Sequence, residues 1–222
     1  MLQDLDATLT ALLRAELPVQ NVAISFAAPD DQFPPPGVNL PAIALFLYDV
    51  REDYELRSAQ WELDERPDGT FIRIPPPVRV TCSYLITAWA SATAPDPAYD
   101  EHRLLGEVLK VLLRHPTIPE HYLNGDLAGQ EPPLPARILA AGHLNSLGEL
   151  WQAMGGRPKA TLNYAVTISV SVRDSVEAGP AVTDRIFTIT QGAGTQGAGP
   201  QAVGTQAVSP AQPAVTSSVP RP

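Results

Sequence analysis

The sequence has little cysteine and no excess of positive charge. Cys82 is the only cysteine among 222 residues, so the chain can form no internal disulfide, and we expect this residue to be a small buried apolar side chain. The chain has 15 lysine and arginine residues against 24 aspartate and glutamate residues, a net charge of −9. Because binding to a phosphate backbone requires clustered lysine and arginine, this charge balance argues against a nucleic acid partner.

The sequence also lacks the motifs that carry enzymatic chemistry. It contains no GxxxxGK[ST] phosphate-binding loop, no GxSxG nucleophile elbow and no GxGxxG loop after a predicted strand. Its four histidines show no HxxxH or CxxC spacing with which to bind a metal; they are His102, His115, His121 and His143. We therefore expect no enzymatic activity, no metal site and no cofactor.

The N-terminal stretch MLQDLDATLTALLRAELP is acidic and has leucines at helical spacing. This pattern predicts an amphipathic helix that ends before Pro18. The stretch lacks the basic flank of a signal peptide and the unbroken apolar run of a membrane anchor. We therefore expect no signal peptide and no membrane partner, and a protein that stays in the cytoplasm or leaves it by another route.

The stretch VRVTCSYLITAWA at residues 78–90 predicts the central strand of a sheet. Its alternate residues from Val78 to Ala90 are mostly apolar, and Leu85 and Trp89 make the second face partly apolar as well. Three prolines precede the stretch and a turn-forming sequence follows it, so both ends are well defined. We expect this strand to be buried on both faces.

The other predicted elements surround this strand. A helix is expected to begin after Asp96 and to end at His115, which precedes a proline. Further strands are predicted at residues 22–27, 40–50, 136–142 and 163–172, the last nearer the edge of the sheet, with a short helix after Ser146. The predicted fold class is α/β (α+β), with a mixed central β-sheet flanked by helices and a projecting β-hairpin.

The hairpin is predicted over residues 54–74, where polar and apolar residues alternate around an RPDG turn at 66–69. A charged hairpin face is usually only solvated, and that is the favoured interpretation. The alternative is that so long a hairpin touches a neighbouring protein. The residues that would then contact a partner are Arg57, Glu62 and Asp68.

The C-terminal part changes composition twice. Residues 1–175 are predicted to form the main domain, and residues 176–190 an extra strand that either completes its own sheet or is donated to a partner. The candidate partner-binding residues in this segment are Val182, Arg185, Ile186, Phe187 and Ile189. Residues 191–222 are a low-complexity tail of glutamine, glycine, alanine and proline, which cannot bury enough apolar surface to fold alone.

The order of the motifs resembles one protein family. MLQDLDATLTALL is followed by LPAIALFLYDVRED, PPPVRVTCSYLITAWA, EHRLLGEVLKVLLRHP and LGELWQAMGGRPKATLNYAVTISV. This series is similar to the Pvc16 N-terminal domain family over about residues 1–172. The resemblance implies a fold like that of phage tail terminators, and a cap protein of an extracellular contractile injection system.

In that family a ring of subunits, believed to be six-fold, caps the end of the inner tube and of the contractile sheath. The resemblance therefore implies a homo-hexamer whose partners are the tube protein and the sheath protein. It also implies assembly in the cytoplasm, within a particle that is later released. The alternative function is a monomeric ligand-binding or regulatory domain that uses the proline-rich loops as the rim of a pocket.

Overall fold

The computed structural model describes residues 1–130, 134–139, 147–155 and 157–180. Helices α1, α2 and α3 cover Leu2–Glu16, Pro97–Arg114 and Leu147–Ala153. Strands β1 to β8 cover Ala23–Ser25, Ala42–Glu52, Glu62–Glu65, Thr70–Ile74, Val78–Trp89, Ala136–Ile138, Thr161–Val170 and Val176–Pro180. Ser146, predicted to cap the short helix, and the residues from 181 onward lie outside the described residues.

A five-stranded sheet in the order β1-β2-β5-β7-β6 forms the centre of the fold. Strand β1 pairs with β2 in parallel and the other pairs are antiparallel, so the sheet is mixed, as predicted. Strand β5 lies in the middle and is buried on both faces from Cys82 to Ala88. The prediction of a central strand is thus confirmed, and β7 lies next to the edge strand β6, as expected.

Helices α1 and α2 supply the apolar side chains that cover one face of this sheet. Leu5, Leu9, Leu12 and Leu13 of α1 are fully buried, as are Val108 and Val111 of α2, whereas Leu2 at the start of α1 is exposed. The Asp96 carboxylate caps α2 by accepting a hydrogen bond from the backbone N–H of Tyr99 at 3.1 Å, and α2 ends before His115. Both helices therefore follow their predicted bounds closely, because periodicity and capping signals agree.

One carboxylate approaches this core. The Tyr84 hydroxyl, on the helix-facing side of β5, donates a hydrogen bond of 3.0 Å to Asp6 Oδ1 on α1. Burial raises the pKa of the Asp6 carboxyl, and the bond from Tyr84 offsets part of this rise. A raised pKa means that the folded state binds the proton more tightly than the unfolded state, so the neutral acid favours folding at low pH. That contribution is lost as the pH rises through the folded-state pKa.

Replacing Asp6 with asparagine should therefore raise the melting temperature at neutral pH. The amide is neutral and its oxygen still accepts the Tyr84 bond, so we expect a gain below about 1 kcal/mol, because the site is partly exposed. The difference should vanish when the pH falls well below the Asp6 pKa. Thermal unfolding of the variant and the parent at several pH values, from acidic to neutral, measures this difference in melting temperature. Asp174→Asn, at an exposed carboxylate, is the control. A less stable Asp6→Asn variant at neutral pH would contradict this account.

The predicted hairpin is present but shorter than expected. Strands β3 and β4 pair in antiparallel register around the predicted turn, where Gly69 has a φ of +77°. Residues 54–61 are not part of the strands, because the Asp53 carboxylate accepts the backbone N–H groups of Glu55 and Leu56 and turns the chain. The expectation of strand from residue 54 was therefore wrong.

Strand β8 adds a third strand to the hairpin. It pairs with β4 so that the sheet order is β3-β4-β8. Gly179 and Pro180 lie inside this strand, where Gly179 has a φ of +77° beside a β-bulge. The first five residues of the predicted extra strand therefore pair within the chain, whereas 181–190 lie outside the described residues.

Candidate interaction surfaces

The three-stranded sheet has one mainly apolar face. Leu63 and Val176 lie opposite Arg73 on either side, so the three side chains share a face. Phe71 lies two residues from Arg73 and points the same way. The Arg73 guanidinium lies over the Trp61 ring, 5.1 Å from its centroid, which places Trp61 on this side too. Glu65 lies opposite Phe71 and shares this face as its one carboxylate on β3. We call Trp61, Leu63, Phe71, Arg73 and Val176 the apolar face.

The apolar face is open in the described part of the chain. The side chains of Leu63 and Val176 are 62% and 52% exposed, respectively. Strands β3 and β4 contain no buried residue, and β3, β4 and β8 contribute nothing to either hydrophobic cluster of the described residues. A small sheet gains stability by covering a hydrophobic face. The apolar face is therefore a candidate docking surface.

The opposite face of the same sheet is acidic. Two isoleucines of β4 lie on this face, each opposite carboxylates of the neighbouring strands. Ile72 lies between Asp64 and Glu177, and Ile74 lies opposite Glu62. Glu177 pairs with an arginine of the hairpin turn at 3.4 Å. The side chains of the free edge strand β3 are all exposed. This edge therefore presents negative charge to any incoming strand.

The predicted partner-binding residues of the hairpin occupy different places. Glu62 begins β3 on the acidic face. Asp68 lies in the turn, where the Thr70 hydroxyl and backbone N–H both donate to it and lower its pKa. Arg57 lies outside the strands, 3.4 Å from Glu52. The structure thus gives Asp68 a turn-forming role and does not place Arg57 on the hairpin strands.

The other five predicted partner-binding residues come after β8 in the chain. The residues Val182, Arg185, Ile186, Phe187 and Ile189 lie outside the described residues. They follow β8 directly along the chain, two to nine residues after its last residue, Pro180. The alternation of polar and apolar residues in the hairpin indicates one apolar side of β3 and β4, but no pattern in the sequence places Val176 beside them.

A second surface is a groove of about 430 Å³ on the side of the central sheet away from α1 and α2, lined by β2, β5, β6, β7 and the turn after β2. Its floor is a polar network. The Thr81 hydroxyl lies 2.9 Å from the Thr167 hydroxyl and 3.5 Å from the Asp53 carboxylate. Beside the groove, Arg79, which is buried, donates to Ser169 on the neighbouring strand. These hydrogen bonds join β5 to β7 and to the turn after β2, and so they stabilise the sheet.

Cys82 is a free, buried thiol. Burial raises the pKa of the Cys82 thiol to about 11, so it is not a nucleophile at neutral pH. Within the ranges that the structure describes, no three His, Cys, Asp or Glu side chains are grouped so that they could hold a metal ion. None of the described helices is both long and apolar enough to cross a membrane.

Comparison with known proteins identifies similar domains. The family model described as the Pvc16 N-terminal domain matches residues 4–184. The sheath/tube terminator of an extracellular contractile injection system, PVC, solved by cryo-EM in the extended state, is similar with a TM-score of 0.63 and 30% sequence identity. That match covers 88% of this chain and 65% of the terminator chain.

A second solved structure gives the same result. The tube-terminating cap of the anti-feeding prophage matches with a TM-score of 0.60 and 28% identity, over 85% of this chain and 62% of the cap chain. The chain thus spans slightly less than two thirds of the length of both solved proteins. No match was found among proteins with curated descriptions.

Proposed function

Because the chain belongs to the Pvc16 N-terminal domain family, we propose that it is a structural cap of a phage-tail-like contractile injection system. In this role it ends the polymerisation of the inner tube and of the contractile sheath. The observation that carries the proposal is the similarity, over more than four fifths of this chain, to two proteins that terminate such tubes.

The proposed partners follow from this role. We expect a hexameric ring of identical subunits, with the tube protein and the sheath protein as its neighbours. A cap needs docking surfaces, and the three-stranded sheet supplies an open apolar face beside an acidic edge. Assembly in the cytoplasm, within a particle that is later released, is part of the same proposal.

We further propose that residues 182–190 bind a partner, with the end of the sheath as the site. Their composition is strand-forming, and Val182, Ile186, Phe187 and Ile189 supply apolar side chains. An extended segment of this kind can add a strand to the open edge of another protein's sheet. Among the hairpin residues, Glu62 is the best placed to join such a contact because it lies on the exposed acidic edge.

The role proposed here is non-catalytic. The buried thiol supports this view, because its raised pKa leaves it unreactive at neutral pH. In the alternative, a monomeric ligand-binding or regulatory domain, the proline-rich loops form the rim of a binding pocket. The groove on the central sheet is instead lined mainly by sheet residues. A second groove, of about 480 Å³, is lined by Pro77 and by residues of the loop at 126–130.

Size-exclusion chromatography with light scattering, followed by negative-stain imaging, tests the proposal. The purified chain, alone or mixed with its tube, should give closed rings of six subunits. A monodisperse monomer that forms no ring at the tube end would contradict the cap function and favour the alternative. Tubes incubated with an unrelated acidic protein serve as the control.

A further inference from the structure

Two opposite charges lie on the side of the sheet that forms the apolar face. Leu63 lies opposite Arg73, and Glu65 lies opposite Phe71 two residues further along β3. The four side chains form a rectangle in which Leu63 and Phe71 occupy one diagonal, and Glu65 and Arg73 the other, at a separation of about 7 to 8 Å. Both charged side chains are exposed, and neither belongs to an ion pair within the described residues.

These two charges restrict what can cover the apolar face. An uncharged cover would bury Glu65 and Arg73 without partners, and burying an unpaired charge costs free energy. A suitable cover therefore places a cation above Glu65 and a carboxylate above Arg73, with apolar side chains between them. A second copy of the same sheet has these groups at the same spacing. The face is thus complementary to itself.

A two-fold axis along the apolar diagonal gives this pairing. It places Leu63 against the partner's Leu63 and Phe71 against the partner's Phe71. It also brings each Arg73 above the partner's Glu65, so that two ion pairs form together, because a two-fold contact repeats every interaction. The strands of the two sheets then cross at a large angle, as in orthogonal sheet packing.

The surroundings of the face leave room for a second copy. Gly179 lies opposite Phe71 on β8, and a Cβ at that position would meet no atom of the described residues within 4 Å. Glu62 and Asp64 of β3 point to the other side of the sheet, so they stay in solvent when two apolar faces meet. A second copy thus meets no bulky side chain at the Gly179 corner and buries neither of these two carboxylates.

We propose that the apolar face joins two copies of this chain in solution, with Arg73 of each copy paired to the partner's Glu65. The face comprises a few side chains of three short strands, and interfaces below about 1,200 Å² are typically weak, so the pair forms reversibly. It joins two copies and leaves no place for a third, so it differs from the contacts within a ring and goes beyond the proposed cap function. On the particle, a docking protein at the same face displaces the second copy, and this step alone rests on the proposed function.

Light scattering of the purified full chain tests the pairing. The mean mass should rise towards twice the 23.8 kDa of one chain as the protein concentration rises from about 1 to about 300 μM. Where rings of six form in the same sample, the contact should double the mass of the ring. A mass that stays at that of one chain or of one ring over this range would overturn the pairing. Rings that form on the tube without doubling leave the cap function intact, and doubling without rings on the tube refutes only the cap function.

Charge exchange identifies the two residues of the contact. Arg73→Glu and Glu65→Arg should each prevent doubling, because each variant brings like charges together in both ion pairs. An equimolar mixture of the two variants should pair again, since one copy then carries two carboxylates and the other two guanidinium groups at the contact. Glu120→Arg, at an exposed carboxylate outside the three-stranded sheet, is the matched control and should double like the parent. Doubling by either contact variant alone, or no doubling in their mixture, would refute the pairing of Arg73 with Glu65.

Discussion

A producing strain that lacks this chain is expected to assemble tubes and sheaths of uncontrolled length, or particles that fall apart. A ring that offers a docking face on one side only blocks further addition at the tube end, so its loss removes the stop signal. Negative-stain images of purified particles give the length distribution directly. Particles of normal length and yield from the deletion strain would refute the cap function.

Complementation of the same strain separates the cap function from the partner role of residues 182–190. The full chain should restore uniform particles. A chain that lacks residues 182–190 but keeps β8 should still form rings on tubes and should lose attachment to the sheath. Normal sheath attachment with the shortened chain would refute the partner role of this segment while leaving the cap function intact.

Replacing Tyr84 with alanine is expected to leave little or no soluble protein. Tyr84 is fully buried on the middle strand, packs edge-on against Phe26 and donates to Asp6. Removal of a buried aromatic side chain typically costs about 3 to 5 kcal/mol through lost contacts and the cavity left behind. The total stability of a domain is about 5 to 15 kcal/mol, so this loss is a large part of it.

Tyr84→Phe is the matched control. It keeps the ring in the core and removes only the hydroxyl that donates to Asp6, so we expect a loss of about 1 to 3 kcal/mol and a folded protein. Soluble yield and thermal melting compare the two variants with the parent. If Tyr84→Ala melts within a few degrees of the parent, the placement of this strand at the centre of the core is wrong.

The central sheet and the two long helices could be predicted because each carries a local signal that agrees with its tertiary role. The leucines of α1 repeat at helical spacing, and all of them after Leu2 are buried in the structure. Asp96 and Pro97 mark the start of α2, and the prolines before Val78 mark the start of β5. The family resemblance rests on these same segments, and the family match confirms it.

The apolar face could not be predicted because it depends on a pairing between distant residues. Strand β8 is short and contains Gly179 and Pro180, two residues that usually argue against a strand. Only its pairing with β4, about a hundred residues earlier in the chain, places Val176 beside Arg73. The periodicity of a single sequence gives no information about a contact between residues about a hundred positions apart.

The groove network was missed for a different reason. In the sequence, Glu52 and Asp53 follow the predicted strand at residues 40–50 and have no obvious partner base. The structure shows that Asp53 serves the backbone of the turn after β2 and the Thr81 hydroxyl. The polar residues Arg79, Thr81 and Ser83 alternate along β5, and this period-two pattern is the signal that indicates a polar second face.

The carboxylates of the free strand β3 also bear on how the purified protein can be handled. Unpaired strand edges are templates for aggregation, and charged side chains on an edge oppose that pairing. Strand β3 carries Glu62, Asp64 and Glu65 over four residues. Like charges on two such edges repel one another, so copies of the purified protein are kept from pairing edge to edge even at high concentration. Replacing these carboxylates with neutral amides should therefore lower the solubility of the protein.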